Sequence, residues 1–432
     1  MKAIIQGIRG KIIKGIIKVP GDKSITHRAI ILGSIAEGET RIQNYLDGLD
    51  CNSTITCMQS LGVQIEKADH HLLVIKGRGL NSLQSPADIL QVGNSGTTIR
   101  LLAGLLSGQN FNTILDGDDS IRKRPMNRII VPLSLMHAQI KGVNQSDFAP
   151  LKIIGRTLVG INYTLPVASA QVKSAILLAG LNARGNTVIF EPEITRDHTE
   201  RMLKLMGANI KILPNQKIIL KPGESLTGVL VDIPGDISSA AYFLALVAAR
   251  KNSEIVIKNT GINPTRTGFL EAIKDMGANV RLLNREDISN EPRADIKING
   301  APLKGIVIDK KIIPRIIDEL PLLAVIATQA QGKTVIKDAR ELRIKETDRI
   351  KNIVQGLSRM GANIYEKEDG LEVIGPTQLK GEEVESFFDH RIAMSLAIAA
   401  SYATGQTIIN QSECMDISYP DFLKNFFRLI NE

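Results

Sequence analysis

The sequence predicts an α/β protein of two lobes, each built from three repeats, and three observations predict it. A strand–helix alternation recurs about every 70 residues along the 432-residue chain. A chain of this length exceeds one ordinary core, so two domains are the natural division. The turn Val19-Pro20-Gly21-Asp22 returns as Ile233-Pro234-Gly235-Asp236 and marks the start of each half. The lobes are therefore expected at 20–234 and at 1–19 plus 235–432, with a double crossover near Pro20 and Pro234 acting as a hinge.

Each repeat is read as starting from a short strand that ends in glycine, at Gly7, Gly77, Gly155, Gly223, Gly300 and Gly375. A helix follows, with a polar head and an apolar body. The six heads are GDKSITHR (21–28), GNSGTTIR (93–100), ASAQVKS (168–174), PGDISSA (234–240), IDELP (317–321) and DHRIAMS (389–395). Most helices stop before a Gly-x-Thr strand start, as at Gly38, Gly185, Gly332 and Gly405, where glycine supplies the C-cap and β-branched residues follow. A second helix closes on a recurring phrase: SLGVQI (60–65), LMGANI (205–210), DMGANV (275–280) and RMGANI (359–364). LMHAQI (135–140) is a decayed copy, and the sixth repeat ends in the helix DFLKNFFRLI. The bodies stay alike while the heads differ. That is the pattern expected when helix entrances share a site and each supplies a different group. An entrance rich in Lys, Arg and hydroxyls is an anion site, because free backbone N–H groups and the positive dipole end point the same way.

Composition narrows the ligand. A net charge of +8 suits anionic partners, and the cations are dispersed without a long block, which favours a small anion over a polyanion. Aromatics at 4% and the absence of Trp disfavour a base-stacking platform. The longest apolar run, around 240–249, is about half of a membrane span, and the first residues lack a signal-peptide core. Cys51, Cys57 and Cys414 form no metal pairing, and their odd number suits reduced thiols in the cytoplasm. His70-His71, read as neighbours on a strand, point to opposite faces and make no metal pair. Gly332-Lys333-Thr334 has Ala327 where a P-loop needs glycine and leads into a strand; Gly77-x-Gly79 has Ser82 where a dinucleotide fingerprint needs glycine. No GxSxG is present.

The charged positions are more informative. Lys23 and Arg28 lie at the first entrance, and Arg100 follows Asn94-Ser95-Gly96-Thr97-Thr98, a nest-like stretch rich in glycine and hydroxyls. Arg122, Lys123 and Arg124 precede Pro125. The second half adds Asp318-Glu319, of which helix capping would explain one acid, and Arg343, Lys345, Glu346 and Arg349, which also read as a salt-bridged helix start. Asp389-His390-Arg391 heads the sixth helix. Cations and hydroxyls in one lobe, acids and Arg in the other, suit acid/base chemistry on a multiply anionic substrate pair.

These residues are similar to those of the 5-enolpyruvylshikimate-3-phosphate synthases over essentially the whole chain. The resemblance is carried by GDKS (21–24), NSGTTIR (94–100), Arg124-Pro125, SAQVK (169–173), RDHTE (196–200), Asn259 with Thr265-Arg266, IDELP (317–321), LRIKETDR (342–349) and DHRIAMS (389–395). It implies an enolpyruvyl transferase-like fold, with three βαβαββ units per lobe and helix N-termini facing an inter-lobe cleft. It also implies transfer of the enolpyruvyl group of phosphoenolpyruvate to the 5-hydroxyl of shikimate 3-phosphate, a step toward chorismate and the aromatic amino acids. No metal or organic cofactor is implied. Carried over position by position, Lys23, Arg124, Gln171, Arg349 and Arg391 hold phosphoenolpyruvate and the leaving phosphate. Ser24, Arg28, Ser169, Thr195 and Lys345 hold shikimate 3-phosphate, with Gln171 between both ligands. Asn94 and Gly96 complete the substrate set. Asp318 resembles the base for the 5-hydroxyl, Glu346 the acid for the methylene carbon, and Lys23 shares that work. A monomeric cytoplasmic enzyme with no nucleic-acid or membrane partner is expected. The sequence departs from the family at Asp416-Ile417-Ser418, where many relatives carry a Lys before the Tyr419-Pro420-Asp421 segment. The related UDP-N-acetylglucosamine enolpyruvyl transferases would carry a Cys within 115–125 and Lys-Asn at 23–24, and neither is present. An RNA-processing protein of similar architecture is the alternative outside enzymes of this class.

Overall fold

The computed structural model describes residues 1–143 and 147–431. The chain folds as two compact lobes. The first comprises Gly21–Ile233 with the turn Ile288–Glu291; the second comprises Met1–Pro20, Pro234–Asp287 and the chain from Pro292 onward.

In the first lobe the helices are α1 (Lys23–Ser34), α2 (Leu49–Ser60), α3 (Gly96–Ser107), α4 (Asp119–Arg122), α5 (Asn127–Leu135), α6 (Ala170–Gly180) and α7 (His198–Leu205). In the second they are α8 (Ile237–Ala248), α9 (Gly268–Asp275), α10 (Ile313–Ile316), α11 (Leu320–Ala327), α12 (Arg349–Arg359), α13 (His390–Tyr402) and α14 (Phe422–Asn431). All six heads open helices: α1, α3, α6, α8, α11 and α13. These helices are apolar nearly all round and lie inside their lobe; every residue of α8 and α13 is buried. The second helix of each repeat is instead amphipathic and buries one face, as α12 does with Ile350, Ile353 and Leu357. Each lobe thus has its own hydrophobic core.

The sheets share one pairing order. In the first lobe, Leu90–Gln91 runs parallel to Asn112–Asp116, which pairs antiparallel with Leu151–Ile154, which pairs antiparallel with Gln139–Gly142. The same order holds for Asn162–Thr164, Thr187–Phe190, Lys217–Lys221 and Asn209–Ile212. It holds again for Val307–Ile308, Gly332–Ile336, Gly370–Gly375 and Asn363–Lys367 in the second lobe. At the crossings the strands are exchanged: Lys14–Lys18 completes the sheet of Glu254–Gly261, while Leu230–Asp232 completes that of Glu37–Gln43. Lys2–Gln6 closes the last sheet against Gln406–Asn410.

Three sequence expectations are corrected. The glycines of the Gly-x-Thr strand starts do not cap the helices before them: α1, α6, α11 and α13 end on Ile35, Leu181, Thr328 and Ala403, and Gly38 and Gly332 already lie in the next strand. The glycine-ended strands before Gly77, Gly155 and Gly300 do not open a repeat; each is a hairpin strand of the preceding sheet. The glycine is needed because the strand end runs against the carbonyls that finish the preceding helix. A Cβ on Gly300 would stand 1.7 Å from the Arg250 oxygen, and one on Gly77 2.2 Å from that of Ala36. Gly223 differs: it has open space and a left-handed φ of +103°. His70 and His71 form the hairpin turn between Gln64–Asp69 and Leu72–Arg78 and are not strand neighbours. In the phrase that closes the second helices, Gly62, Gly207, Gly277 and Gly361 all have φ between +87° and +108°, the left-handed C-cap. His137 takes that conformation in the decayed copy, with φ of +67°. No described helix is long and apolar enough to cross a membrane. The three cysteines are buried thiols.

Candidate functional site

In the first lobe the entrances of α1, α3 and α6 are each fixed by a side-chain cap. Asp22 accepts from the Ile25 amide at 3.0 Å, Ser95 from Thr98 at 3.1 Å, and Ser169 from Val172 at 3.4 Å. Lys23 begins α1 and its Nζ lies 3.0 Å from Asp50 on α2. Arg28 is buried one turn further on. Its guanidinium donates to Thr199 Oγ1 (2.6 Å), Ser174 Oγ (2.9 Å) and the Ser24 carbonyl (2.8 Å), all neutral acceptors. Burial brings its pKa down to about 10, against the opposing pull of Glu200.

The α3 entrance gathers two more guanidiniums. Arg100 donates to Gln171 on α6, and Gln171 donates to Thr97 Oγ1 at 3.0 Å. Arg124 donates to Asn94 and to Ser120 Oγ. A Cβ on Gly96 would stand 2.9 Å from Arg124 Nη1 and 3.1 Å from Arg100 Nη1, so both cationic ends converge on this glycine. Two like charges around one bare backbone position are the arrangement that suits an anion.

Behind α6 lies a fully buried ion triad. Lys173 reaches Glu191 at 2.9 Å and Glu200 at 2.6 Å, and Thr195 donates to Glu191. Burial pushes the Glu200 carboxyl up, with Lys173 opposing.

The second lobe brings its acids onto buried arginines. Arg349 donates from Nε to Asp389 at 2.8 Å, and its terminal nitrogens reach Asp318 at 3.4 Å and Glu346. Arg391 lies 3.6 Å from the other Asp318 oxygen and 3.7 Å from Glu319. Burial works against both guanidinium charges; the surrounding carboxylates outweigh it and raise both pKa values. Lys345 is lowered, burial outweighing Asp318, Glu341 and Glu346. Helix capping does not explain Asp318 and Glu319: α11 opens without a side-chain cap, and both acids turn to the arginines instead. Ser238 at the α8 entrance donates to Glu319 and accepts from Arg266 at 2.7 Å. Ile417, at the departure from the family pattern, is partly buried against the core of the second lobe.

The structure therefore gathers Lys23, Ser24, Arg28, Asn94, Gly96, Arg124, Ser169, Gln171 and Thr195 at connected entrances of the first lobe. In the second it gathers Asp318, Lys345, Glu346, Arg349 and Arg391. Residues that the sequence did not single out as functional are the partners that hold these groups: Asp50, Lys173 and Glu191. Their signal lies in spatial pairing, since a buried charge announces itself in a sequence only when its partner is adjacent.

The model of the EPSP synthase (3-phosphoshikimate 1-carboxyvinyltransferase) family matches residues 8–426. The chain is 53% identical over 416 residues to the 3-phosphoshikimate 1-carboxyvinyltransferase of Thermoanaerobacter sp. (strain X514), covering 96% of this chain and 97% of that protein. It is 50% identical over 426 residues to the protein of that name from Synechococcus elongatus, covering 98% and 94%. Among solved structures, EPSP synthase from Acinetobacter baumannii superposes with a TM-score of 0.88 at 44% identity, over 99% of this chain and 98% of that one.

Proposed function

The chain belongs to the EPSP synthase family, and from that premise we propose that it transfers the enolpyruvyl group of phosphoenolpyruvate to the 5-hydroxyl of shikimate 3-phosphate. Asp318 takes the proton of the 5-hydroxyl as its oxygen attacks C2 of phosphoenolpyruvate, and Glu346 delivers a proton to the methylene carbon. The tetrahedral adduct then loses phosphate from C2, and Glu346 recovers the proton from the methyl group, restoring the double bond. Lys23 shares the proton work and, with Arg124, Gln171, Arg349 and Arg391, holds phosphoenolpyruvate and the departing phosphate. Ser24, Arg28, Ser169, Thr195 and Lys345 hold shikimate 3-phosphate. Asn94 and Gly96 shape the α3 entrance.

The observation that carries the reading is the Arg349 hub, whose guanidinium touches Asp318 and Glu346, the two groups assigned the proton transfers. Two phosphates and two carboxylates must be neutralised before carboxylate bases can work beside them, and the arginine-rich entrances supply that neutralisation. The chain carries no Cys within 115–125, which disfavours the UDP-N-acetylglucosamine reaction. The test is release of inorganic phosphate with both substrates together and with each alone. Release only with both is expected; none with both present overturns the assignment.

A further inference from the structure

We propose that His27 is a positioning residue for this reaction, setting the α3 entrance against the α1 entrance through a buried, one-directional chain of hydroxyls. The inference rests on the enolpyruvyl-transfer reading above. The chain runs His27 Nδ1 to Thr54 Oγ1 (2.7 Å), Thr54 Oγ1 to Thr98 Oγ1 (2.7 Å) and Thr98 Oγ1 to Ser95 Oγ (2.6 Å). All four side chains are fully buried or nearly so.

Its direction follows from the two ends. Ser95 caps α3 by accepting from the Thr98 amide, and it accepts the Thr98 hydroxyl as well. Thr98 has then spent its proton and accepts from Thr54, which accepts from His27. His27 therefore carries its proton on Nδ1, leaving Nε2 as a lone pair with no hydrogen-bond partner among the described residues. The reverse direction would put the proton on Nε2, as a buried N–H donor with no acceptor among the described residues, which is the costlier omission. Burial, then the charges of Lys23 and Arg28, hold the His27 pKa well below its usual value against the pull of Asp22, so the ring is neutral and has a definite tautomer.

The chain joins the groups that hold phosphoenolpyruvate. His27 sits on α1 one turn after Lys23; Thr54 is on α2, which also carries the Asp50 partner of Lys23. Ser95 precedes Gly96, where Arg124 and Arg100 converge. Shikimate 3-phosphate is served by a separate set of bonds, from Arg28 to Ser174 and Thr199. Cutting the hydroxyl chain should fall on one substrate and spare the other.

The test compares Thr54→Val, which keeps shape and removes the hydroxyl, with His27→Leu and His27→Asn in the full chain. Asparagine can place an amide donor where Nδ1 stood. Thr54→Val and His27→Leu are expected to raise KM for phosphoenolpyruvate about tenfold, with KM for shikimate 3-phosphate changed less than about twofold and His27→Asn near wild type. Equal rises in both KM values, no rise, or an Asn variant as impaired as Leu overturns the proposal. If His27→Leu does not fold, Thr54→Val alone decides the KM split. Nitrogen-15 NMR of His27 is the arm independent of activity: an Nδ1–H neutral ring is expected, and an Nε2–H ring overturns the chain. A wild-type protein with no transfer activity would sink the functional reading, and the tautomer would still decide the direction of the chain.

Discussion

Lys173→Met should destabilise the first lobe through the two carboxylates it leaves behind. Lys173 is fully buried, with Glu191 at 2.9 Å and Glu200 at 2.6 Å, themselves 5% and 1% exposed. Breaking a buried ion pair by removing one partner costs about 3–5 kcal/mol, because the remaining charge is uncompensated. The pH dependence has a definite sign. Glu200 is already raised above its ordinary value near 4.5 by burial, and losing Lys173 removes what opposes that rise. A carboxyl with a raised folded pKa contributes stability at low pH that is lost as pH climbs through that pKa. The deficit of Lys173→Met against wild type should therefore shrink between pH 8 and pH 5.5. Adding Glu200→Gln should recover most of it at pH 8. Urea unfolding followed by circular dichroism measures all of these. A Lys173→Met cost below about 1 kcal/mol, or a deficit that grows on acidification, would refute the reasoning.

Glu346→Ala should keep shikimate 3-phosphate binding while turnover falls about 10²–10⁴-fold; equal loss of binding and rate would assign Glu346 a positioning role instead. Arg28→Met should raise KM for shikimate 3-phosphate more than about tenfold with little loss of stability, since Ser174 and Thr199 already bond each other at 2.7 Å. Shikimate 3-phosphate affinity should also decline as pH rises through about 10, where Arg28 loses its charge, and titration calorimetry would show this. Cys57 and Cys414, both pushed up to about 12 chiefly by burial, should resist a thiol reagent in the folded protein and react in guanidinium; fast labelling of the native chain would contradict their burial. Gly300→Ala should prevent stable folding, whereas Gly10→Ala, with open space around it, should cost only the strain of its left-handed backbone.

The helix entrances were legible because their chemistry is local. A side-chain cap and an apolar body lie within a dozen residues or so, and α1, α3 and α13 open where those signals stand. The ends of α1 and α13 were misread because the next glycine belongs to the strand or connection that follows. Sheet membership was less legible. The strand ending at Gly77 alternates like any other, and nothing in its residues says that it pairs backward with Glu37–Gln43. The charged groups divide in the same way. Lys23, Arg28, Asp318 and Glu346 stood out through their motifs, whereas the pairing of Lys173 with Glu191 and Glu200 is made by burial across separate elements. His70 and His71 were misplaced because a two-residue turn between alternating segments looks like a continuation of the strand.

The exchanged strands at the crossings bear on the order in which the protein can mature. The first lobe draws its sheets from Gly21–Ile233, so once Leu230–Asp232 is available all of its strands exist. The second lobe depends on Lys14–Lys18 and Lys2–Gln6, whose partners Glu254–Gly261 and Gln406–Asn410 lie hundreds of positions later. During synthesis those two leading strands must wait, unpaired, while the other lobe closes. Their sequences suit the wait: KAIIQ and KGIIK each hold a single isoleucine pair and carry lysine at a strand end, the residue that keeps a lone strand from recruiting a stranger.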